Sequence, residues 1–458
     1  MKIFLRKNSF FKKKDKILYL PIEIHSREFH SKLYLANEAC KSGWTVLLGP
    51  KYDINRITRY LPFGVYLGIG FHGAAANVAA LMKDNGHFVL SQDEEGLVRL
   101  APKFYKEYRI DKSIESSSDY LLCWGKEHED ILRSYFSNSS KIMPIGNTRV
   151  DLLSKKNKQI FDSEVHSLIK EHGEFILING NFGSANHTSG IEYFLEELKS
   201  RGWVSSADKE EYQMTRIDFQ RKIFKKMMDL SIAIAKNGHK VIVRPHPSEN
   251  IEVWKDYTKD YSDKIKIIRS GNVLSWILAS RLVIHNGCTT AIEAFLLGKC
   301  VISYRPYKDE YVESHLPNAI SHNFFDEDQV ISYINKQDIG VLDISTSRNL
   351  LSKNIQTYNY DKSSADLIID LISDKSGENN KSLFFSIKQN ILVELTRLRF
   401  FLSTIINRKN YLYESSKCPS IKINEVKKIQ DILNKDKVID DTNVFYFTRH
   451  SIIMKSKS

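Results

Sequence analysis

The stretch from 275 to 307 constrains the fold more than any other part of the chain, because it contains a complete strand–turn–helix–strand unit. RLVIH at 281–285 is rich in β-branched residues and predicts a buried strand, and CVIS at 300–303 predicts the next strand. Asn286-Gly287 indicates a tight turn after the first strand, and an apolar helix follows it. This order of elements is typical of a doubly wound α/β fold.

Hydroxyl side chains stand at the predicted start of that helix. Thr289 and Thr290 can offer hydroxyls and backbone N–H groups to an anion, because a helix N-terminus at the carboxyl end of a parallel strand commonly binds phosphate. Glu293, one turn into the helix, could bind ribose hydroxyls. Helix capping is the alternative for the threonines, and an exposed helix face is the alternative for Glu293. The unit predicts a site for the phosphate and ribose of a nucleotide.

Strands and helices alternate along most of the chain, which predicts the α/β class. Residues 1–170 are expected to form one Rossmann-like domain, and 171–375 a second, with a polar linker helix around 154–173. Two such domains would leave a cleft between the carboxyl ends of their sheets, where ligands are expected. Residues 376–458 are predicted to form a basic helical extension.

The extension contains one long helical pattern at 382–406, apolar on more than one face and interspersed with basic residues such as Arg397 and Arg399. Such a helix could lie on an anionic membrane surface. Packing on the domain or on a dimer partner explains the pattern equally well.

Composition and short motifs exclude several classes of protein. The 458 residues carry a net charge of +12, which suits anionic partners, but no zinc-knuckle or helix-turn-helix pattern indicates nucleic acid. Five scattered cysteines without a CxxC pair predict reduced thiols in a cytoplasmic protein and no metal site. The N-terminus does not read as a signal peptide, and no apolar run reaches the ~18 residues of a membrane span. Neither a P-loop nor a GxGxxG motif is present.

An acidic run follows a predicted strand of the first domain. Ser91 and Gln92 come directly after the apolar segment 87–90, and Asp93, Glu94 and Glu95 follow them and are closed by Gly96. Crowded carboxylates are expected to raise the pKa of at least one of them. A carboxylate tuned in this way can act as a general base or as a nucleophile toward a sugar carbon. The alternative is a solvated loop with an acidic helix start.

Arg244-Pro245-His246-Pro247 follows the predicted strand KVIVR of the second domain. The two prolines stiffen the loop and hold Arg244 and His246 with little freedom. The guanidinium is a planar fork for a phosphate, and the imidazole can donate to a leaving phosphate near neutral pH. A rigid surface turn is the alternative.

Three further loops are weaker candidates, and a structural turn is the alternative for each. Gly146-Asn147, at the end of a predicted strand, is one of them. Another follows the first strand of the second domain, where glycines would let the backbone approach a ligand. The third follows the first strand of the chain and could face an acceptor. The candidates are Asn179, Gly180 and Asn181 for the donor, and Glu23, Arg27 and Glu28 for the acceptor.

The order of these motifs resembles a known family, the bacterial GT-B glycosyltransferases that use CMP-activated sugars (sialyltransferases and the Kdo transferases of capsule and lipopolysaccharide). The motifs that carry the resemblance are Glu94-Glu95-Gly96, His246-Pro247 and Thr289-Thr290. The resemblance implies that the first acidic residue of the pair is catalytic, that the histidine binds the donor phosphate, and that the hydroxyl pair holds phosphate. The family often has serine in place of these threonines. Because the acidic run is longer here, Asp93 is an alternative to Glu94.

The second domain also resembles the CDP-glycerol glycerophosphotransferases of teichoic acid synthesis, through the Arg-Pro-His-Pro loop and the helix after His285. Up to about residue 375, the chain is similar to surface carbohydrate biosynthesis proteins. These resemblances imply a GT-B fold and the transfer of a Kdo-type or nonulosonic sugar acid from a CMP-sugar to a glycan or glycolipid acceptor. They imply no metal and no cofactor, and a place in the cytoplasm or at the cytoplasmic face of the membrane.

Other functions stay open at this point. A CDP-polyol phosphotransferase or a non-hydrolysing nucleotide-sugar epimerase would use the same fold, and a non-catalytic component of glycan assembly or export would need no catalytic carboxylate. For a transferase, a carboxylate acting as a base inverts the sugar configuration and one acting as a nucleophile retains it.

Overall fold

The computed structural model describes residues 10–11, 15–99, 102–200, 204, 206–309, 312–336, 340, 344–358, 360–375, 391, 395, 398, 402, 415, 417–435 and 442–456. The chain forms two compact units. The first contains Met1–Gly96, Arg109–Ile160 and Ser352–Ser458, and the second contains Leu97–Tyr108 and Phe161–Leu351.

The strands alternate with helices along the described chain, as the sequence predicts. In chain order the strands are β1 (Lys16–Ile22), β2 (Trp44–Pro50), β3 (Val65–Ile69), β4 (Phe88–Gln92), β5 (Tyr120–Cys123), β6 (Ile142–Pro144), β7 (Ile176–Asn179), β8 (Val241–Arg244), β9 (Ile265–Ile267), β10 (Leu282–His285), β11 (Cys300–Tyr304), β12 (His322–Phe324), β13 (Thr442–Tyr446) and β14 (Ile452–Ser456).

The helices vary from single turns to one element of 30 residues. In chain order they are α1 (His25–Lys41), α2 (Lys51–Ile57), α3 (Gly73–Asp84), α4 (Pro102–Arg109), α5 (Ile114–Ser117), α6 (Lys126–Arg133), α7 (Thr148–Asp151), α8 (Asp162–His172), α9 (Ile191–Ser200), α10 (Ala207–Lys236), α11 (Ile251–Tyr257), α12 (Val273–Ala279), α13 (Thr289–Leu296), α14 (His315–Ala319), α15 (Glu327–Ile334), α16 (Ile344–Asn354), α17 (Ser364–Ile372) and α18 (Ile423–Leu433).

The first unit is built on an eight-stranded sheet in the order β13-β14-β2-β1-β3-β4-β5-β6. Strands β1 to β6 are parallel to one another, and β1 pairs with β2 in register from Lys16 and Trp44 onward. Helix α1 buries Phe29, Leu33 and Ala36, one face of a 3.6-residue period. Because a parallel sheet is covered by helices, its strands are apolar on both faces, which explains the continuous burial of β2.

The second unit has a six-stranded, wholly parallel sheet in the order β12-β11-β10-β7-β8-β9. Its core combines strand residues such as Ile178 and Ile284 with Met227 and Ile234 of α10 and with Trp254 of α11. Both units are therefore Rossmann-like α/β units, and the predicted fold class is confirmed.

The C-terminal part of the chain differs from the prediction of a helical extension. Residues 442–446 and 452–456 are strands, and β14 adds to β2 in the antiparallel direction. This pairing covers an edge strand that would otherwise expose unpaired backbone groups. Helix α17 also belongs to the first unit, although the sequence placed it in the second domain.

Two predictions from the sequence concern a long apolar helix in this region and the absence of a membrane span. The helix predicted at 382–406 falls mostly outside the described residues. Among the residues that the structure describes, no helix is long and apolar enough to cross a membrane.

Candidate functional site

The strand order of the second unit's sheet reverses between β7 and β10. The chain continues outward to β8 and β9 on one side, and to β11 and β12 on the other. Loops that follow two such strands diverge at the carboxyl edge, and open α/β sheets bind ligands at this switch point. Asn179 of β7 lies opposite His285 of β10 in register, so these two residues mark the switch point of the second unit.

Two amide side chains at the switch point have buried polar atoms without a hydrogen-bond partner. Asn179 is 3% exposed, and its Nδ2 has no partner. Asn286 donates from Nδ2 to Gln220 Oε1 at 3.2 Å, but its Oδ1 has no partner. Because an unpaired buried polar group is costly, a donor and an acceptor placed here suit a ligand that offers both kinds of group. The sequence indicated Asn286 only as a turn residue.

The start of α13 contains the predicted hydroxyl pair. Thr289 and Thr290 are half-exposed in the first turn, where backbone N–H groups lack intrahelical partners. The Sγ of Cys288, the N-cap residue, lies 2.7 Å from Thr290 Oγ1, and burial raises the pKa of this thiol. Glu293 is only 7% exposed, so it does not lie on the exposed helix face considered for it. The phosphate and ribose roles of these residues stay predictions.

Glu249, which the sequence did not single out, joins the loops after β7 and β8. It is fully buried. Its carboxylate accepts hydrogen bonds from the backbone N–H of Phe182 at 3.1 Å and of His246 at 2.7 Å, and from Trp254 Nε1 at 2.9 Å. Burial raises the pKa of Glu249, and these three donors oppose the rise. Its place three residues after His246, in a loop stiffened by proline, is the signal that could have identified it.

Glycines allow this joining of the two loops. A Cβ added to Gly180 would stand 2.8 Å from Glu249 Oε1, and one added to Gly183 would overlap with Ser248 Oγ. The predicted close approach of this backbone to a ligand is therefore an approach to the neighbouring loop. Asn181 lies between the two glycines and is half-buried.

His246 and Pro247 are exposed at the carboxyl end of β8. The backbone N–H of Ser248 donates to His246 Nδ1 at 3.3 Å, and Ser248 Oγ lies 2.7 Å from the same nitrogen. Because Nδ1 accepts a hydrogen bond, the neutral ring carries its proton on Nε2. The interaction of His246 with a phosphate stays a prediction.

Arg244, at the end of β8, is bonded to the loop that follows β9. Its guanidinium donates to the backbone carbonyls of Arg269 at 3.2 Å, Ser270 at 2.5 Å and Gly271 at 3.0 Å. It also lies 5.3 Å from the ring centroid of Trp276. Burial lowers the pKa of Arg244 to about 10. The guanidinium therefore holds the loop after β9 through three of its N–H groups. The donor-binding role of Arg244 stays a prediction.

His285 stabilises the turn after β10 from within the core. The ring is fully buried, accepts the backbone N–H of Gly287 at Nδ1 over 2.8 Å, and lies 2.9 Å from Ser321 Oγ through Nε2. Burial lowers its pKa to about 3, so the imidazole is neutral at physiological pH. Its hydrogen bonds fix the turn that presents Asn286.

In the first unit, the acidic run lies at the carboxyl end of β4, and its three carboxylates differ in exposure. The side chains of Asp93 and Glu94 are 2% and 3% exposed, whereas that of Glu95 is 51% exposed. Glu95 pairs with Arg27 at 2.8 Å and with Arg109 at 2.9 Å, and Arg109 also pairs with Asp93 at 2.7 Å. Of the three, Glu95 is the carboxylate that a ligand could reach.

Glu94 is held inside the unit by polar partners on both oxygens. Lys32 Nζ lies 2.7 Å from Oε1, and Asn147 Nδ2 donates to Oε2 at 2.9 Å. Burial disfavours the charged form, but Lys32 outweighs it and the pKa of Glu94 is lowered. The expectation that crowding raises a pKa is therefore wrong for Glu94, because the neighbouring cations neutralise the run.

The loop after β1 contributes a second group of charges to this edge. Glu28 is fully buried and accepts the backbone N–H groups of Glu23 at 2.9 Å and Ile24 at 3.4 Å, so it closes the turn into α1 instead of facing an acceptor. Burial raises its pKa. Arg27 and Glu23 are partly exposed, and Glu23 lies 3.5 Å from Lys51. The acceptor-binding roles of Arg27 and Glu23 stay predictions.

Within each unit, the structure brings the predicted residues to the carboxyl edge of the sheet. In the second unit these are the loops after β7, β8 and β10, and in the first unit the loops after β1 and β4. Within the described ranges, no cluster of three or more histidine, cysteine or acidic side chains could hold a metal ion.

Comparisons with known proteins support the fold. Neither a protein-family model nor a curated protein matches the sequence. Among solved structures, the wall teichoic acid polymerase TagF matches with a TM-score of 0.51 and 12% identity over 81% of this chain and 91% of that one. A TagF variant soaked with CDPG matches with a TM-score of 0.50, 12% identity and the same coverage. At this identity, the likeness shows that the chain has the two-domain α/β architecture of the GT-B class.

Proposed function

We propose that the protein is a GT-B transferase of cell-surface glycan synthesis that uses a cytidine-activated donor. Its reaction would be the transfer of a sugar acid, of the Kdo or nonulosonic type, from a CMP-sugar to a glycan or glycolipid acceptor. The observation that carries the proposal is the switch point of the second unit, where Asn179 and Asn286 keep an unpaired donor and an unpaired acceptor beside the start of α13. A nucleoside offers both kinds of group, and the helix start suits its phosphate.

His246 supports a role in leaving-group stabilisation. Its Nδ1 accepts a hydrogen bond from the backbone N–H of Ser248, which leaves Nε2 as the nitrogen that carries the proton, and Glu249 fixes its backbone. A donor held in this way can bind the phosphate that leaves as CMP, where negative charge grows in the transition state. No metal or cofactor enters this proposal.

Glu95 is the candidate catalytic carboxylate in this proposal. Asp93 and Glu94 are buried and engaged in ion pairs, whereas Glu95 is half-exposed between Arg27 and Arg109. The ion pairs with Arg27 and Arg109 fix the position of the Glu95 carboxylate while half of its surface stays exposed, so a sugar carbon or an acceptor hydroxyl could reach it. Glu94, for which the family resemblance implies the catalytic role, would instead hold the acidic run in place from inside the unit.

Variants of the two glutamates separate these roles. We expect Glu95→Gln to slow CMP release from a CMP-sugar without lowering thermal stability, and Glu94→Gln to lower stability because it weakens a buried ion pair. If Glu94→Gln stopped turnover at unchanged stability while Glu95→Gln had no effect, the catalytic assignment would return to Glu94.

A CDP-polyol phosphotransferase is the second candidate. It is favoured by the likeness of the fold to TagF, a variant of which has been soaked with CDPG. Both candidates predict cytidine nucleotides in the second unit and differ in whether a sugar or a polyol phosphate is transferred. Incubation with CMP-linked and CDP-linked donors, followed by measurement of CMP release, distinguishes them.

A thermal-shift panel of CMP, CDP, UDP and GDP tests the proposal. We expect CMP or CDP to raise the melting temperature, and Asn179→Ala to reduce that shift. The control is Asn237→Ala, which removes an exposed amide bonded to Ala233 O at the far end of α10. Stabilisation by UDP without CMP or CDP would overturn the cytidine assignment and favour an epimerase. Unchanged glycan production in cells carrying Glu95→Ala and His246→Ala would favour a non-catalytic component.

A further inference from the structure

Helix α10 is much longer than the sheet that it covers. Its 30 residues span about 45 Å at 1.5 Å per residue, whereas strands of four residues such as β8 span about 13 Å. The core-packed residues of α10 run from Ile223 to Ala235, near its C-terminal end. Because α10 ends just before β8 begins, its N-terminal half extends past the carboxyl edge of the sheet.

Gln220 marks the place where α10 passes the switch point, since its Oε1 accepts the hydrogen bond from Asn286 Nδ2. Arg216 lies four residues earlier, on the same face and about 6 Å further out along the helix. Gln213 precedes it by one turn and is 2% exposed. The polar residues Gln213, Arg216 and Gln220 therefore form a line along α10 that leads to the orphan Oδ1 of Asn286.

Arg216 lacks the anionic partner that a sheltered guanidinium normally has. Its Nη1 donates to Gln213 Oε1 at 3.1 Å, and its buried Nε has no hydrogen-bond partner. Burial lowers its pKa, and the groups that oppose this are the phenols of Tyr212 and Tyr108. Over the part of the chain that the structure describes, no carboxylate forms an ion pair with Arg216.

Other arginines of the second unit show the contrast. Arg305 is bonded to both oxygens of Glu313 at 2.6 and 2.8 Å, and Arg221, on the same helix, pairs with Asp218 at 3.0 Å. A sheltered guanidinium without a carboxylate is costly unless backbone carbonyls, as at Arg244, or a ligand anion satisfy its N–H groups.

Aromatic rings form a wall beside Arg216. Phe104 stacks on Tyr212 with ring centroids 4.5 Å apart and an interplanar angle of 10°, and on Tyr108 at 6.2 Å. Lys209 pairs with Glu107 at 2.9 Å and so joins α4 to α10 in this unit. Rings on one side reduce access of water to the guanidinium, which strengthens its attraction for an anion.

We propose that Arg216 binds a second anionic group of the donor, while the start of α13 holds the first phosphate. This inference rests on the proposed function, because it assumes a nucleotide at the switch point. The ligand class is a nucleotide with two anionic groups. These are the two phosphates of a CDP-linked donor, or the phosphate and the carboxylate of a CMP-linked sugar acid.

The test compares ligands that differ by one anionic group. Dissociation constants for CMP, CDP and a CMP-linked sugar acid are measured by calorimetry with the wild-type protein, Arg216→Gln and the matched control Arg221→Gln. We expect Arg216→Gln to weaken binding of CDP or of the CMP-sugar acid about 10- to 100-fold, and binding of CMP by less than about threefold. The ligand that loses affinity identifies the second anion as phosphate or carboxylate. Arg221→Gln should change neither.

The outcomes separate this inference from the proposed function. If Arg216→Gln lost the same affinity for CMP as for both larger ligands, or lost affinity for none of them, the role of Arg216 would be overturned. The cytidine site would stay intact. If the wild-type protein bound uridine nucleotides instead, a selective loss of UDP relative to UMP in Arg216→Gln would support the second-anion site and overturn the cytidine donor. Binding of no mono- or diphosphate nucleotide would overturn both.

Discussion

The buried ion pair of Lys32 and Glu94 gives the sharpest test of how the acidic run works. The two side chains are 2% and 3% exposed and their charged atoms are 2.7 Å apart. At that separation and an effective dielectric constant of ~20, the Coulomb attraction is about 6 kcal/mol before desolvation is subtracted. Removal of one partner leaves the other charge buried, which costs about 3–5 kcal/mol. We therefore expect Glu94→Ala and Lys32→Met each to destabilise the first unit by about that amount.

A double-mutant cycle isolates the pair. The variant that carries both changes should be far more stable than the sum of the single losses predicts, with a coupling free energy of several kcal/mol. The control cycle uses Lys126 and Asp130, which are also 2.7 Å apart but 59% exposed on both sides, so that solvent screening should leave almost no coupling between them. Urea unfolding combined with hydrogen exchange of peptides from the first unit provides the free energies. A coupling as small as that of the exposed pair would refute the reasoning.

The same pair predicts a pH dependence. The pKa of Glu94 is lowered in the folded chain, so its contribution to stability is present above its ordinary value near 4.5 and is lost as the pH falls through the folded value. We expect Glu94→Gln to weaken this decrease of stability at acid pH. An unchanged decrease in the variant would show that other carboxylates account for it.

Three further outcomes follow from single contacts. Asp151 accepts the backbone N–H of Ser364 at 3.0 Å, and burial raises the pKa of Asp151 to about 6. The free energy of unfolding should therefore fall as the pH rises from ~4 through ~6. Asp151→Asn should remove that fall when unfolding is measured as a function of pH. Glu249→Ala leaves three donors without their acceptor, so we expect faster hydrogen exchange at 180–190 and 245–250. The free energy of unfolding should fall by about 3 kcal/mol or more. Unchanged exchange would show that Glu249 does not hold the two loops together. Gly96→Ala places a Cβ 2.7 Å from His128 Cε1, which should lower the free energy of unfolding by about 1–3 kcal/mol in urea, and a neutral effect would contradict the packing.

The fold could be predicted because its signal is local and repeated. The β-branched segments that became β8 and β10 are bounded by glycine, proline and asparagine, and each is followed by a helix, so a parallel sheet in two units follows from the pattern. The C-terminal strands escaped prediction because β14 gains its stability from pairing with β2, and the paired residues, such as Ile452 and Leu48, are far apart in sequence. Such a contact leaves no periodic signal in the segment itself.

The sequence predicted the location of the candidate residues better than it predicted what their side chains contact. Strand ends correctly located His246, Thr289 and the acidic run at carboxyl edges. The sequence could not reveal that three carbonyls occupy Arg244 or that Lys32 neutralises Glu94, because both depend on tertiary neighbours. Residue type alone does not distinguish an arginine bonded to backbone carbonyls, such as Arg244, from an arginine whose buried Nε has no hydrogen-bond partner, such as Arg216.

Hydrogen exchange of the intact protein with CDP, CMP and UDP tests the central claim, which is a cytidine-nucleotide site at the switch point of the second unit. We predict that CMP or CDP protects the backbone amides of 179–183 and 286–291, and that UDP at the same concentration does not. Protection of these segments by UDP alone, or protection by cytidine nucleotides confined to the first unit, would contradict the account.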